Sequence, residues 1–268
     1  MEQVSLKWLE KVLKTRALGN TDNNIINDIS TDTRTIKKGN LFIALKGENF
    51  NGNDFISEAL KKGAIGAVIQ KDERIKNKKF NDFFLLETED TLSALHKIAK
   101  AYRREHALTM VNITGSNGKT TTKEMTYSVL STAFKTYKTN ANFNNEIGVP
   151  KAVLSLDNTF DAAVLELGMT HKGDIHKLIK ITSPRIRILT NIGPAHLKNF
   201  SSLVDIARAK AEIFDCYKQK DIAVFNIDDS LVKKMSSGFP GEKITFGLCP
   251  EAIIRAQEIE NNGFTLVI

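Results

Sequence analysis

Val111-Asn112-Ile113-Thr114-Gly115-Ser116-Asn117-Gly118-Lys119-Thr120-Thr121-Thr122 brings together the residue types that hold a polyphosphate. Gly115 and Gly118 free the backbone of a Cβ, so successive N–H groups can turn toward phosphate oxygens. Lys119 adds a compact positive charge for the outer phosphates, and Thr120 offers a hydroxyl to Mg²⁺. The spacing departs from the common G-x-x-x-x-G-K-[ST] loop, which would need glycine where Ile113 stands. Strand, two glycines, lysine, threonine and helix still follow in order, which points to a nucleoside triphosphate and away from a chance Gly-Lys-Thr turn.

Three more positions could act on the same phosphates. The strand Ala162-Ala163-Val164-Leu165 runs into Glu166-Leu167-Gly168-Met169, with His171 and Asp174 after it. A carboxylate at a strand end suits Mg²⁺, which binds a few carboxylates plus phosphates; taken alone it could equally be a solvated charge, and beside a phosphate loop the metal reading leads. The strand Arg185 to Leu189 leads into Thr190-Asn191-Ile192-Gly193-Pro194-Ala195-His196, whose histidine after a Gly-Pro turn reads as a metal or phosphate ligand. Lys210 lies on a helical face with Leu203, Ala207 and Phe214, flanked by Ile206 and Ile213. A lysine in an apolar stripe either snorkels outward or is desolvated with a lowered pKa, and a neutral amine can take up CO₂ as a carbamate. Periodicity alone favours snorkelling.

The elements that must position these groups can be read along the chain. Helical spacing marks residues 5 to 18, followed by Ile29-Ser30-Thr31-Asp32-Thr33-Arg34 and a turn at residues 37 to 40. Strands are expected at residues 41–45, 65–69 and 83–86. A helix with Phe55, Ala59 and Leu60, capped by Asp54, stands between the first two, and another runs from Thr91 to Arg104. This is a small α/β unit ending near residue 106 at a charged hinge, so domains of 1–106 and 107–268 are expected. In the second, strands at 109–113, 161–167, 185–192 and 222–227 alternate with helices at 119–132, 173–181 and 202–217. That pattern builds a mostly parallel sheet with ligands at its C-terminal strand ends. Short strands without intervening helices are expected at 243–247, 253–259 and 264–268.

The bulk properties narrow the class. A chain of 268 residues with 41% hydrophobic residues can bury a core in each domain. Its net charge of +7 suits anionic ligands. The densest basic run, Lys71 to Lys79, lacks the aromatic interleaving of a nucleic-acid surface, so no nucleic-acid partner is expected. The two cysteines, Cys216 and Cys249, match no metal or redox spacing and read as free thiols. The charged start and the lack of a long apolar run lead to an expectation of a cytoplasmic protein with no membrane span.

Together these motifs resemble the Mur ligase family, the ATP-dependent amide ligases that build the peptidoglycan stem peptide, and the resemblance covers essentially the whole chain. T-G-S-N-G-K-T-T-T resembles the family's phosphate loop, Glu166 its magnesium glutamate, and His196 in N-I-G-P-A-H-L its second-metal histidine. Lys210 in A-R-A-K-A-E-I-F is similar to the family's carbamoylated lysine, which argues against snorkelling, and Asn226-Ile227-Asp228-Asp229 resembles its N-x-D-D segment near the nucleotide. Asn140-Ala141-Asn142-Phe143-Asn144-Asn145-Glu146-Ile147-Gly148-Val149-Pro150 resembles the N-x-N-N-x-I-G-x-P of the branch that adds D-alanyl-D-alanine. Clustered amides of this kind suit a sugar, diphosphate or peptide.

The resemblance implies ATP contacts from Gly115, Ser116, Asn117, Gly118, Lys119, Thr120, Thr121, Asn226 and Asp229. It implies Mg²⁺ ligands Thr120, Glu166, His196 and carbamoylated Lys210, with Lys119, His196 and Lys210 catalytic. It implies substrate contacts from Ser30, Thr31, Asp32, Arg34, Lys46, Asn142, Asn144 and Asn145, with the N-terminal domain taking the UDP end. The implied reaction joins UDP-MurNAc-tripeptide to D-Ala-D-Ala through an acyl phosphate, with ATP as the energy source and a monomer as the working form. The family's third, C-terminal domain and its G-x-H-N motif are absent from this sequence, so a form incomplete for turnover is expected. A sister ligase adding the third residue, a folate polyglutamate ligase, a non-catalytic ATP and UDP-sugar binding module, and a P-loop switch ATPase are the alternatives.

Overall fold

A computed structural model of the chain describes residues 1–22, 25–47, 50–72, 83–140, 143–195, 199–256, 260–261 and 266–267. Asn142, His196 and most of the run Lys71 to Lys79 lie outside the described residues, as do 257–259, 264–265 and 268. The chain divides into two units, Met1–His106 with Val153–Asp157, and Ala107–Ala152 with Asn158–Ile268. A single cut near residue 106 leaves out the return of 153–157 to the first unit.

The first unit holds a five-stranded sheet in the order Ala17–Gly19, Phe84–Thr88, Gly66–Gln70, Asn40–Ile43, Asp28–Ser30. Only the Ala17–Gly19 edge pairs antiparallel. Phe42, Ala44, Ile56, Ala67, Ile69 and Phe83 make its core. The first helix is shorter than its apolar spacing suggests: it runs Leu6–Leu13 and stops at Lys14, which is left-handed at φ 55°. Residues 17–19 then join the sheet, a non-local pairing that overrides the local period. Asp54 is not the cap expected for the next helix. Asn51 caps the preceding 3₁₀ turn through Asn53 N, and the helix Ile56–Lys61 grows out of that turn. Asp90 does cap Thr91–Arg104, accepting from Leu92 N and Ser93 N.

The second unit is built on seven parallel strands in the order Ile254–Arg255, Glu242–Gly247, Ile222–Asn226, Ile186–Leu189, Thr109–Thr114, Ala162–Glu166, Thr136–Lys138. The order reverses at Thr109–Thr114, whose neighbours are Ala162–Glu166 on one side and Ile186–Leu189 on the other. Diverging crossovers leave a crevice at the C-terminal end of that strand, which is where open α/β sheets take ligands. Helices Asp174–Thr182, Leu203–Ala211 and Ser230–Ser236 accompany the sheet, with Ile175, Ile179, Ile206, Phe214 and Phe225 in the larger core cluster. Glu242–Gly247 and Ile254–Arg255 extend the parallel sheet, and Glu260–Asn261 with Leu266–Val267 form a separate antiparallel pair. Among the described residues no helix is long and apolar enough to cross a membrane.

Candidate functional site

The loop after Thr114 leaves at the switch point, and its two glycines meet different needs. Gly118 has φ 77° with open space around it, so its task is the left-handed turn that starts the helix Lys119–Leu130. At Gly115 the constraint is room, because a Cβ there would lie 1.9 Å from Thr190 Oγ1. Close approach lets the loop lock onto the neighbouring strand end. Ser116 N donates to Asn191 O at 3.0 Å, Asn117 N to Asn191 Oδ1 at 2.9 Å, and Gly193 N to Ser116 Oγ at 2.8 Å. Lys119 Nζ is held over the loop by the carbonyls of Gly115 at 3.0 Å and Ser116 at 3.1 Å.

The register of Ala162–Glu166 against Thr109–Thr114 puts Glu166 opposite Ile113, level with the start of the loop. Glu166 is buried, and Thr120 Oγ1 donates to its Oε2 at 2.8 Å. Asn144 Nδ2 donates to the other oxygen, Oε1, at 2.9 Å, and Asn144 O accepts from Gly168 N at 2.7 Å. One side chain of the asparagine-rich segment thus orients the carboxylate. Asn145 is spent differently, its Oδ1 accepting from Ile147 N and Gly148 N at the start of the helix Gly148–Leu154.

Lys210 does not snorkel. It is 2% exposed, and its ammonium donates to Gly115 O at 2.9 Å, the carbonyl that also accepts from Lys119. Burial lowers its pKa to about 8, with the charge of Lys119 pushing the same way. Lys119, Asn144, Glu166 and Lys210 line one cavity of about 620 Å³, along with Asn145, Glu146, Met169, Thr170, His171 and Asp174. Asp174 Oδ2 accepts from Thr170 N and His171 N, which fixes the turn that brings His171 to the cavity wall.

Asp229 reaches the site through a neighbour. Its Oδ1 caps Ser230–Ser236 and its Oδ2 accepts from Ile192 N at 2.7 Å, steadying the strand-end loop that grips Ser116 and Asn117. Asn226 Oδ1 accepts from Asp228 N at 3.0 Å, and Thr121 is exposed on the first helical turn. Among the described residues no three His, Cys, Asp or Glu side chains gather as a metal site. The donors on hand for a hard cation are the paired oxygens of Thr120 and Glu166, a set that fits Mg²⁺ when phosphate oxygens complete it.

In the first unit, Ser30 Oγ donates to Asp32 O at 2.8 Å and accepts from Asp32 N at 3.1 Å, shaping a tight turn. Asp32 accepts from Arg34 N, Nε and Nη2, and this pairing raises the guanidinium pKa. Arg34 remains 84% exposed, Thr31 is partly exposed, and Lys46 bridges Asn51 across the next turn. The sequence reading missed Lys123 and Arg187, two buried cations that donate to groups far along the chain, the Thr139 carbonyl 16 residues on and the Asp221 carboxylate 34 residues on.

Two family descriptions match this chain: residues 113–268 match the Mur ligase middle domain and residues 25–109 the Mur ligase family catalytic domain. The UDP-N-acetylmuramoyl-tripeptide–D-alanyl-D-alanine ligase of Bacillus subtilis is 39% identical over 228 residues, covering 85% of this chain and 49% of that protein. The Escherichia coli ligase of the same description is 39% identical over 202 residues, covering 75% of this chain and 43% of that protein. The crystal structure of MurF from Acinetobacter baumannii matches with TM-score 0.89 and 31% identity, covering 97% of this chain and 56% of that one. MurF from Thermotoga maritima in complex with ADP matches with TM-score 0.74 and 33% identity, covering 82% and 50%. The chain spans about half the length of the curated relatives it matches. With matched descriptions over both units and one switch-point loop facing a buried carboxylate and a buried amine, this chain belongs to the Mur ligase family.

Proposed function

We propose that this chain is the nucleotide- and UDP-substrate-binding part of an ATP-dependent amide ligase of peptidoglycan precursor synthesis. The reaction joins the terminal carboxylate of UDP-MurNAc-tripeptide to the amine of D-Ala-D-Ala, with ATP going to ADP and phosphate. One observation carries the reading: Lys119 and Lys210 share the Gly115 carbonyl on a cavity that Glu166, bonded to Thr120 and Asn144, also lines.

Phosphoryl transfer asks a protein mainly for positioning and charge neutralisation. The Gly118 turn, the start of the helix Lys119–Leu130 and the Lys119 ammonium hold the β- and γ-phosphates on a loop that Asn191 braces through the Ser116 and Asn117 amides, with Thr121, Asn226 and Asp229 contributing to the ATP pocket. Thr120, Glu166, His196 and Lys210 are the residues that would hold Mg²⁺. Bound there, Mg²⁺ would neutralise phosphate charge and brace the reacting oxygens. An amine with its pKa near 8 is neutral often enough to add CO₂, forming an N–C bond and releasing a proton, so Lys210 can present carboxylate oxygens to this wall. The substrate carboxylate then attacks the γ-phosphorus, ADP leaves, and the amine displaces phosphate from the acyl phosphate. Asn142, Asn144 and Asn145 would contact the acceptor, while Ser30, Thr31, Asp32, Arg34 and Lys46 would hold its UDP end. The setting is a cytoplasmic monomer acting on small molecules.

Calorimetry on the full chain tests this reading. ADP should bind in a Mg²⁺-dependent manner, UDP-MurNAc-tripeptide should bind with no nucleotide present, and Thr120→Ala should weaken Mg-ADP by about tenfold or more, the worth of one charged hydrogen bond. A chain that binds ADP but no uridine nucleotide is a switch-type ATPase, and the ligase reading is then wrong.

A further inference from the structure

The helix Lys119–Leu130 carries Thr120, yet of its 12 residues only Lys123 is buried. Met125 and Val129 are 65% and 69% exposed, and Leu130 at its far end packs against the core cluster of Val111, Ile113 and Val164. A polar clamp ties it to the edge strand Thr136–Lys138. Lys123 Nζ donates to Thr139 O at 2.9 Å and pairs with Glu124 Oε1 at 3.1 Å. The other Glu124 oxygen takes Lys138, whose ammonium also lies 4.3 Å from the Tyr127 ring centroid. Lys138 and then Lys123 hold the Glu124 carboxyl below its usual range.

Thr139 is where the clamp meets the site. Its carbonyl accepts from Lys123, its N–H donates to Val164 O at 3.2 Å, and its Oγ1 accepts from Glu166 N at 3.5 Å. A buried ammonium costs free energy unless its partners are good, and an apolar side chain would fill the same space more cheaply. The charge at position 123 is therefore explained by the carbonyl it holds.

We propose that Lys123 is a positioning residue for the Thr120–Glu166 oxygen pair, fixing the Thr139 carbonyl and so setting the helix that carries Thr120 against Thr139, whose hydroxyl accepts from Glu166 N. The inference rests on the nucleotide and Mg²⁺ reading above. It assigns a role to a side chain that touches neither phosphate nor cation.

The test is the ratio of ADP affinities with Mg²⁺ and with EDTA, measured by calorimetry on the full chain. Lys123→Met should weaken Mg-ADP by about tenfold and ADP in EDTA by less than about twofold, since only the first state uses the aligned oxygens. Lys123→Arg, which keeps donors in place, should recover most of the Mg²⁺-dependent gain. Glu124→Gln, at a partly exposed position, should shift the ratio in the same direction by less, and it decides the matter if Lys123→Met does not fold. Equal losses in both buffers, or none in either, would overturn the positioning role and leave the nucleotide reading standing. A wild-type chain that binds no ADP in either buffer would bring down both.

Discussion

Lys210 is a buried base that donates to the Gly115 carbonyl, and its lowered pKa has a consequence for stability. Between about 8 and the usual 10.5 the unfolded chain keeps a proton that the folded chain has lost, so stability should rise with pH across that window. Below about 8 both states are protonated and the cost of the buried charge is fully present. In CO₂-free buffer the melting temperature should therefore climb from pH 8 toward 10.5. Lys210→Met should flatten that climb and stabilise the chain at pH 7 by on the order of 1–3 kcal/mol. A wild-type profile that is flat or falls over this range contradicts the assignment. Gly115 gives a second expectation of opposite sign: Gly115→Ala drives a methyl into Thr190 Oγ1, which donates to Asn117 O at 2.8 Å. Urea unfolding should show a loss of about 1–3 kcal/mol, the usual range for overpacking. Both glycines were legible as parts of a phosphate loop. Which of them supplies the turn and which the close approach depends on Thr190, a residue of another strand end, and so could not be read locally.

Among elements, the strand Ile186–Leu189, paired on both sides in the sheet, also carries a buried ion pair. Arg187 donates Nη2 to Asp221 Oδ2 at 2.7 Å and Nη1 to the carbonyls of Ile213 at 2.7 Å and Asp215 at 2.5 Å. One guanidinium thus ties the 3₁₀ turn that follows the Lys210 helix to the sheet. Arg187→Met should cost about 3–5 kcal/mol in denaturant unfolding, because Asp221 is left charged and buried, whereas Arg187→Met with Asp221→Leu should recover much of the loss. Equal destabilisation by single and double variants would show that the carbonyl contacts, and not the ion pair, matter. Glu212 adds a second tie, its carboxylate accepting from Gly173 N at 2.7 Å and His176 N at 3.1 Å at the start of Asp174–Thr182. The helix Thr91–Arg104 and the strands around the phosphate loop were legible because their period and caps are local. Ala17–Gly19 and Thr136–Lys138 were not, since short edge strands exist only by virtue of the strands they pair with. Ser230–Ser236 did carry a local signal, the capping Asp229, which its resemblance to a nucleotide motif obscured.

For the whole molecule, hydrogen exchange should separate the two ligand classes. Mg-ADP should protect amides of Gly115 to Thr120 in the second unit, and UDP-MurNAc-tripeptide those around Ser30 to Arg34 in the first; protection confined to one unit by both ligands would contradict the division of labour. At a ligand concentration a hundredfold above Kd, Mg-ADP should add about 2.7 kcal/mol to stability by mass action. The sequence by itself determined the residue types of the Gly-Ser-Asn-Gly-Lys-Thr loop, the alternation of strand and helix, and the residue types at the strand ends, because each is written in neighbouring positions. Only the tertiary structure decided that Lys210, 95 residues from Gly115, shares its carbonyl with Lys119, and that Asn144 and Thr120 divide the two oxygens of Glu166 between them. The physical reason is that strand order in a parallel sheet is set by crossovers packing against a common core, and no local period records which strand ends will meet.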